Sequence, residues 1–134
     1  MGQGGAGAVS LQIAAGMIAG LVGLTIGPNA DHAAAADADL LFKNNCATCH
    51  AFAAGAGRRQ GPNLWGVVGR HAGSVDGFPY SPAMKRADVT WTPETLDRWL
   101  TDSAALVPGS VMNYRQPDPA VRAAIIDYLK SGRS

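Results

Sequence analysis

An all-α fold, three to four main helices joined by long loops, is what this sequence predicts, and three observations predict it. A helix-start signal recurs at Ser81-Pro82, Thr92-Pro93 and Asp118-Pro119. In each, an oxygen-bearing residue caps the first turn and a proline follows, lacking the N–H that the first turn cannot use. No stretch alternates apolar and polar residues for long enough to make a strand, and no internal repeat is present. From Ala51 to Tyr80 the chain is loop-like, broken by "AGAG", "GPN", "VGR", "AGSVDG" and "FPY". A structureless interval of that length fits a compact domain only where it wraps a large ligand.

The first thirty residues stand apart, with no Lys, Arg, Asp or Glu. Val9 to Ile26 is almost wholly apolar, Gly27-Pro28 breaks it, and the small-residue stretch Ala34-Ala35-Ala36 follows. This order reads as a secretory signal peptide over residues 1–36, although the positive start of such a peptide is missing. The other reading is a retained membrane anchor through residues 9–27. Eighteen helical residues span about 27 Å, which is marginal for a bilayer; Gly16 and Gly20, like Gly23 and Gly27, would share a packing face, but in a segment this rich in glycine chance spacing explains them better. Both readings place residues 37–134, the remaining domain, outside the cytoplasm: periplasmic, and in contact with a membrane only if the leader is kept.

The elements of that domain follow in order. "ADADLLFKNNCATC" carries Leu41, Asn45 and Thr48 on one stripe with Leu40, Phe42 and Ala47 nearby, and predicts an amphipathic helix running into the cysteines. After the long loop come short "SPAMKRA" and then "TPETLDRWL", whose Glu94 suits the positive end of a helix. "DPAVRAAIIDYLKSG" closes with Lys130 and Gly132, the composition of a helix C-terminus. About a hundred residues are few for a purely apolar core, so a firmly held cofactor would supply missing burial. Charged residues make up 16% of the chain and the net charge is +1, too balanced for binding nucleic acid by phosphate neutralisation.

Both cysteines, Cys46 and Cys49, lie in "CATCH", directly before His50. Three chemistries use such a cluster. A dithiol oxidoreductase places its C-x-x-C at a strand-to-helix junction, and here a helix leads in and no strand is present. A structural zinc needs a second pair of ligands; no other cysteine exists, His71 alone completes nothing, and His32 lies in the leader. Covalent haem fits. C-x-x-C-H is the attachment signature of haem c, with two thiols one turn apart for the two vinyl groups and the histidine beneath the iron.

A sixth iron ligand decides between carrying electrons and binding a substrate. Candidates are Met84, Met112, His71 and water. Met112 lies in a turn-rich loop after Pro108-Gly109, whereas Met84 lies inside a short helix, where methionine fills gaps in a core. Thioether ligation closes the coordination sphere and raises the reduction potential, which disfavours a peroxidase or gas sensor.

From about Ala38 onward the chain resembles the class I c-type cytochromes, the mitochondrial cytochrome c and bacterial cytochrome c2 group with their membrane-anchored relatives. "CATCH", "GPNLWGVVGR", "GFPYSPAMK", Trp91, "ETLDRWL", "VPGSVM" and "IIDYL" stand in family order, with no gap from Cys46 to Met112. The resemblance implies a cytochrome c fold wrapped around one covalent haem c, with His50 as proximal and Met112 as distal ligand. It implies that the Pro62 carbonyl supports His50, and that Arg70, Tyr80 and Trp91 meet the haem propionates, as buried carboxylates require. Simple core filling for Trp91 and a solvated loop charge for Arg70 are the competing roles. Phe42 and Tyr128 match the crossing of the first and last helices, with Ala38 as its small contact residue.

The implied function is one-electron transfer, with no substrate transformed. The donor would be a bc1-type complex or a dehydrogenase, and the acceptor a terminal oxidase or reaction centre. The alternative is a fixed haem c subunit of a periplasmic dehydrogenase complex. Departures from the family lie at its docking edge. Asn45, Ala104, Ala105 and Val111 stand where mobile carriers have lysines, Arg59 is the main basic residue left there, and Tyr114 replaces a common phenylalanine. Trp99 stands for a usual tyrosine, and Arg58 for a loop histidine. Docking by apolar contact is expected from this edge; parallel change of both partner surfaces accounts for it equally well.

Overall fold

The computed structural model describes residues 1, 2, 4 and 29–132, with side chains of the first helix from Asp37 on. Five helices follow one another: α1 Asn29–Asn45, α2 Pro82–Arg86, α3 Pro93–Thr101, α4 Ser103–Leu106 and α5 Pro119–Lys130. Among the described residues the only β-type pairing is one isolated bridge between His71 and Thr90, so the all-α prediction holds. The apolar run 9–27 lies outside the described residues. Among the described ones no helix is long and apolar enough to cross a membrane.

Each predicted helix start is built as the sequence indicates. The Ser81 hydroxyl accepts the Met84 N–H at 3.2 Å, and the Asp118 carboxylate accepts the Ala120 N–H at 2.8 Å. Thr92 and Thr95 form a reciprocal capping box at α3, satisfying two amides that the first turn leaves without partners. The structure adds α4, whose cap Asp102 is also the last cap of α3. It also starts α1 at Asn29, through the alanine stretch, because alanine has the highest helix propensity.

Two details differ from the expected pattern. On α1 the buried residue is Phe42, while Leu40 is 55% exposed, so the stripe is centred one or two residues from its expected place. At the end of α5, Ser131 is the cap in right-handed helical conformation. Gly132 is not a left-handed cap; a Cβ there would lie 2.7 Å from Phe52 Cζ. Close approach of the chain to an aromatic ring, rather than backbone freedom, is what this glycine supplies.

The α1–α5 crossing organises the fold. Phe42 and Tyr128 meet at 5.0 Å between ring centroids, Phe52 joins both at 5.3 and 4.8 Å, and Trp65 extends the cluster. Tyr128 donates to Asp39 across the same crossing at 2.9 Å. Beyond it, α5 packs on α3 and α3 on α4. Ile125, Leu129, Leu96, Leu100, Val67, Trp91 and Trp99 form the buried interior, and the long loop covers its open side.

Candidate functional site

At the end of α1 the chain keeps helical spacing through the cysteine motif. Cys46 N–H bonds back to the Phe42 carbonyl at 2.8 Å, and Cys49 and His50 both bond to the Cys46 carbonyl, at 3.1 and 2.9 Å. Asn45 Nδ2 also donates to the Leu41 carbonyl, one turn back, at 2.8 Å. The two thiols and the imidazole thus leave one turn together. Burial and then the neighbouring thiol push Cys46 up to about 11, so it stays protonated at neutral pH. Cys49 Sγ is 3.3 Å from Gln60 Oε1.

The loop aims the imidazole. Gly61 N–H bonds to the Cys49 carbonyl at 2.7 Å, and Leu64 N–H to that of Ala51 at 2.9 Å, so residues 61–64 run alongside 49–51. His50 Nδ1 donates to the Pro62 carbonyl at 2.8 Å. A Cβ on Gly61 would lie 2.3 Å from His50 Cε1, so only glycine lets the backbone seat the ring this closely. Burial lowers the His50 pKa, opposed by the Pro62 bond. The neutral tautomer with its proton on Nδ1 leaves the Nε2 lone pair for a metal.

All eight residues singled out in the sequence line one cavity of about 520 Å³: Cys46, Cys49, His50, Pro62, Arg70, Tyr80, Trp91 and Met112. Arg70 Nη1 and Nη2 donate to the carbonyls of Trp65 and Asn63 at 3.0 and 2.9 Å. It is therefore a half-buried, anchored cation, not a solvated one, with burial lowering its pKa. Its backbone pairs with Trp91, whose N–H reaches the Arg70 carbonyl at 2.9 Å. Trp91 is 8% exposed and packs on Trp99 at 5.3 Å, so it fills core and lines the cavity at once. Burial raises the Tyr80 pKa and the nearby Arg70 charge opposes the rise.

Met112 also lines the cavity and follows the turn Val107–Ser110, closed by a 3.1 Å bond from the Ser110 N–H to the Val107 carbonyl. Gly109 takes φ +86 in that turn, the left-handed region that favours glycine after proline. Met84 also lines the cavity and is buried, as its reading as packing expects. His71 does not line it; its ring nitrogens meet the Ala72 carbonyl at 2.9 Å and Asp88 at 3.5 Å.

Two residues that sequence reasoning passed over shape the site. Asn63, read only as part of a loop breaker, bonds the carbonyls of Ala53 and Ala56 and accepts the Trp65 N–H. Ser103 is wholly buried against the Met112 loop. The available signal for Asn63 was its side chain, which satisfies loop backbone readily. Ser103 in "SAALV" offered none.

The cavity fits a haem. Its volume lies in the range of cofactor sites, Leu64, Val67, Leu96, Leu100, Ile125 and Leu129 give it aliphatic walls, and thiols, imidazole and guanidinium are among its polar groups. Among the described residues no cluster of three or more His, Cys, Asp or Glu is placed to hold a bare metal ion.

Comparison with known proteins agrees. The family model for cytochrome c matches residues 35–133. A cytochrome c2 of Rhodopila globiformis is 42% identical over 92 residues, 68% of this chain and 86% of that one. A cytochrome c of Ginkgo biloba is 40% identical over 95 residues, 70% of this chain and 84% of that one. One of Chlamydomonas reinhardtii is 44% identical over 91 residues, 67% and 81% respectively. With its helical fold, its paired thiols and its aliphatic cavity, the chain belongs to the cytochrome c family and is a haem c electron carrier.

Proposed function

We propose that the protein carries single electrons on a haem c held by thioether bonds from Cys46 and Cys49, with His50 and Met112 as the two axial ligands. The observation that carries this reading is the imidazole of His50, locked by Pro62 and Gly61 so that Nε2 alone is left for a metal. When bound, the haem supplies an iron that alternates between ferrous and ferric states. The polypeptide fixes the imidazole, presents a sulfur from the facing loop, and keeps bulk water from the interior, so little reorganises when the charge changes. Arg70, Tyr80 and Trp91, which line the same cavity, would meet the haem propionates. No substrate is transformed.

The donor is a bc1-type complex or a dehydrogenase and the acceptor a terminal oxidase or reaction centre, met outside the cytoplasmic membrane. Residues 1–36 are the export signal or anchor, and residues 37–134 the working domain. Met112→Ala tests the ligand assignment. The ferric holoprotein shows the weak near-infrared thioether band and the variant loses it. A holoprotein without the band, or a variant that keeps it, overturns the axial pair.

A further inference from the structure

Ser103 is the one polar residue wholly buried among the described residues, at 0% exposure, and the partners of its hydroxyl all lie in one short segment. Its hydroxyl is 2.7 Å from the Met112 carbonyl and 3.3 Å from that of Tyr114, and it accepts the Tyr114 N–H at 2.9 Å. A hydroxyl has one proton to give, and the shorter contact directs it to Met112. The Tyr114 carbonyl is served instead by the Ser103 backbone N–H at 3.2 Å. One residue thereby holds three backbone groups around the peptide that carries the thioether. The outer end of the same segment is tied by the Tyr114 hydroxyl to Asn45 Oδ1 at 3.1 Å, on the turn that bears the cysteines.

Methionine has three rotatable side-chain bonds, so the aim of its sulfur depends on how firmly its backbone is held. Val111 beside it is 84% exposed and gives the loop little burial of its own. We propose that Ser103 is a positioning residue for Met112, its buried hydroxyl presetting the loop that offers the sulfur. The proposal rests on Met112 being the axial ligand. Without the hydroxyl the Tyr114 N–H loses its acceptor and the Met112 carbonyl keeps only the longer Ser110 bond, 3.2 Å. The population with sulfur withdrawn rises accordingly.

The test is displacement of the sulfur by imidazole in the ferric holoprotein, followed by loss of the near-infrared band at fixed pH. Ser103→Ala should bind imidazole about tenfold more tightly, the scale of one buried hydrogen bond. Tyr128→Phe, which removes the remote bond to Asp39, should lower the denaturant midpoint and leave imidazole affinity within about twofold. The proposal is overturned if Ser103→Ala also stays within about twofold of the parent, or if Tyr128→Phe shifts affinity as far. Absence of the band in the unsubstituted holoprotein would instead strike the ligand assignment. Should Ser103→Ala fail to take up haem, hydrogen exchange of the Tyr114 amide in the unsubstituted holoprotein decides. Protection of about a hundredfold or more sustains the clamp, and exchange at the unstructured-peptide rate refutes it.

Discussion

Removing the haem should unfold this domain. The cavity of about 520 Å³ is lined by Leu96, Leu100, Ile125 and Leu129, the residues that also form the interior face of α3 and α5. Unfilled apolar volume costs about 24 cal/mol per Å³, which puts the full cavity at about 12 kcal/mol. Its mouth opens to solvent, and counting half the volume as enclosed still leaves about 6 kcal/mol. A domain of this size has a net stability of about 5–15 kcal/mol, so the loss consumes most or all of it. The perturbation is Cys46→Ser with Cys49→Ser, expressed and purified free of haem. Far-UV circular dichroism should show little helix and no cooperative urea transition at 25 °C, and added haem should restore helix. A haem-free chain that unfolds cooperatively, within about 2 kcal/mol of the holoprotein, would refute the reasoning, since the walls would then collapse without the cofactor.

Three further outcomes are expected. Gly61→Ala places a Cβ 2.3 Å from the His50 ring; the ring must move, at about 1–3 kcal/mol of overpacking, and the ferric optical spectrum should shift toward the high-spin form. Burial is the leading cause of raised pKa at Tyr80, Tyr114 and Tyr128, each from an ordinary value near 10. The folded state then keeps these protons longer than the unfolded one, so stability present below pH 10 is lost as pH rises past it; urea midpoints between pH 8 and pH 11 should fall, less steeply in Tyr128→Phe. Asn45, Ala104, Ala105 and Val111 are uncharged, and Arg59 is the main basic residue left at the expected docking edge, so stopped-flow oxidation by the native acceptor should slow less than about threefold between low and physiological salt. A steep fall there would rule out docking by apolar contact.

What was legible in the sequence was short in range. Ser81, Thr92 and Asp118 cap helices through atoms two or three residues away, and the Ser/Thr/Asp-Pro pairs announce this by themselves. Cys46, Cys49 and His50 share one turn, and Pro62 meets His50 only 12 positions on. The loop of residues 51–80 was readable as a ligand wrap because nothing else explains so long an interval without helices. Features that tertiary packing creates were not readable. Four residues of α4 carry no periodicity, and the cap of α4 is also the end of α3. Gly132 looks like any glycine after a helix; that it exists to admit Phe52 depends on a partner 80 positions away. The alanine stretch before Asp37 reads as leader by composition, yet the same residues continue α1, because small apolar residues serve either role.

The two faces of the site are therefore built differently. On the His50 side, motif and support come from residues 46–64, joined by backbone bonds across about a dozen positions. Such contacts close small loops and cost little chain entropy. On the Met112 side, the segment 110–114 is held by Ser103 at the start of α4 and by Asn45 at the end of α1, the latter 69 positions from Tyr114. Further along, Gln116 N–H bonds the Leu100 carbonyl at 2.8 Å, and Arg122 on α5 holds the carbonyls of Gln116 and Pro117 while pairing with Asp97 on α3. The sulfur side thus exists only when α1, α3, α4 and α5 are all in place, whereas the imidazole side needs one turn and one loop. Stability within a fold is uneven, and segments held by long-range contacts alone open before segments closed locally. Loosening any one of those helices is accordingly felt at Met112 before it is felt at His50. As the proposed thioether ligand, Met112 would be the residue through which the integrity of the whole domain acts on electron transfer.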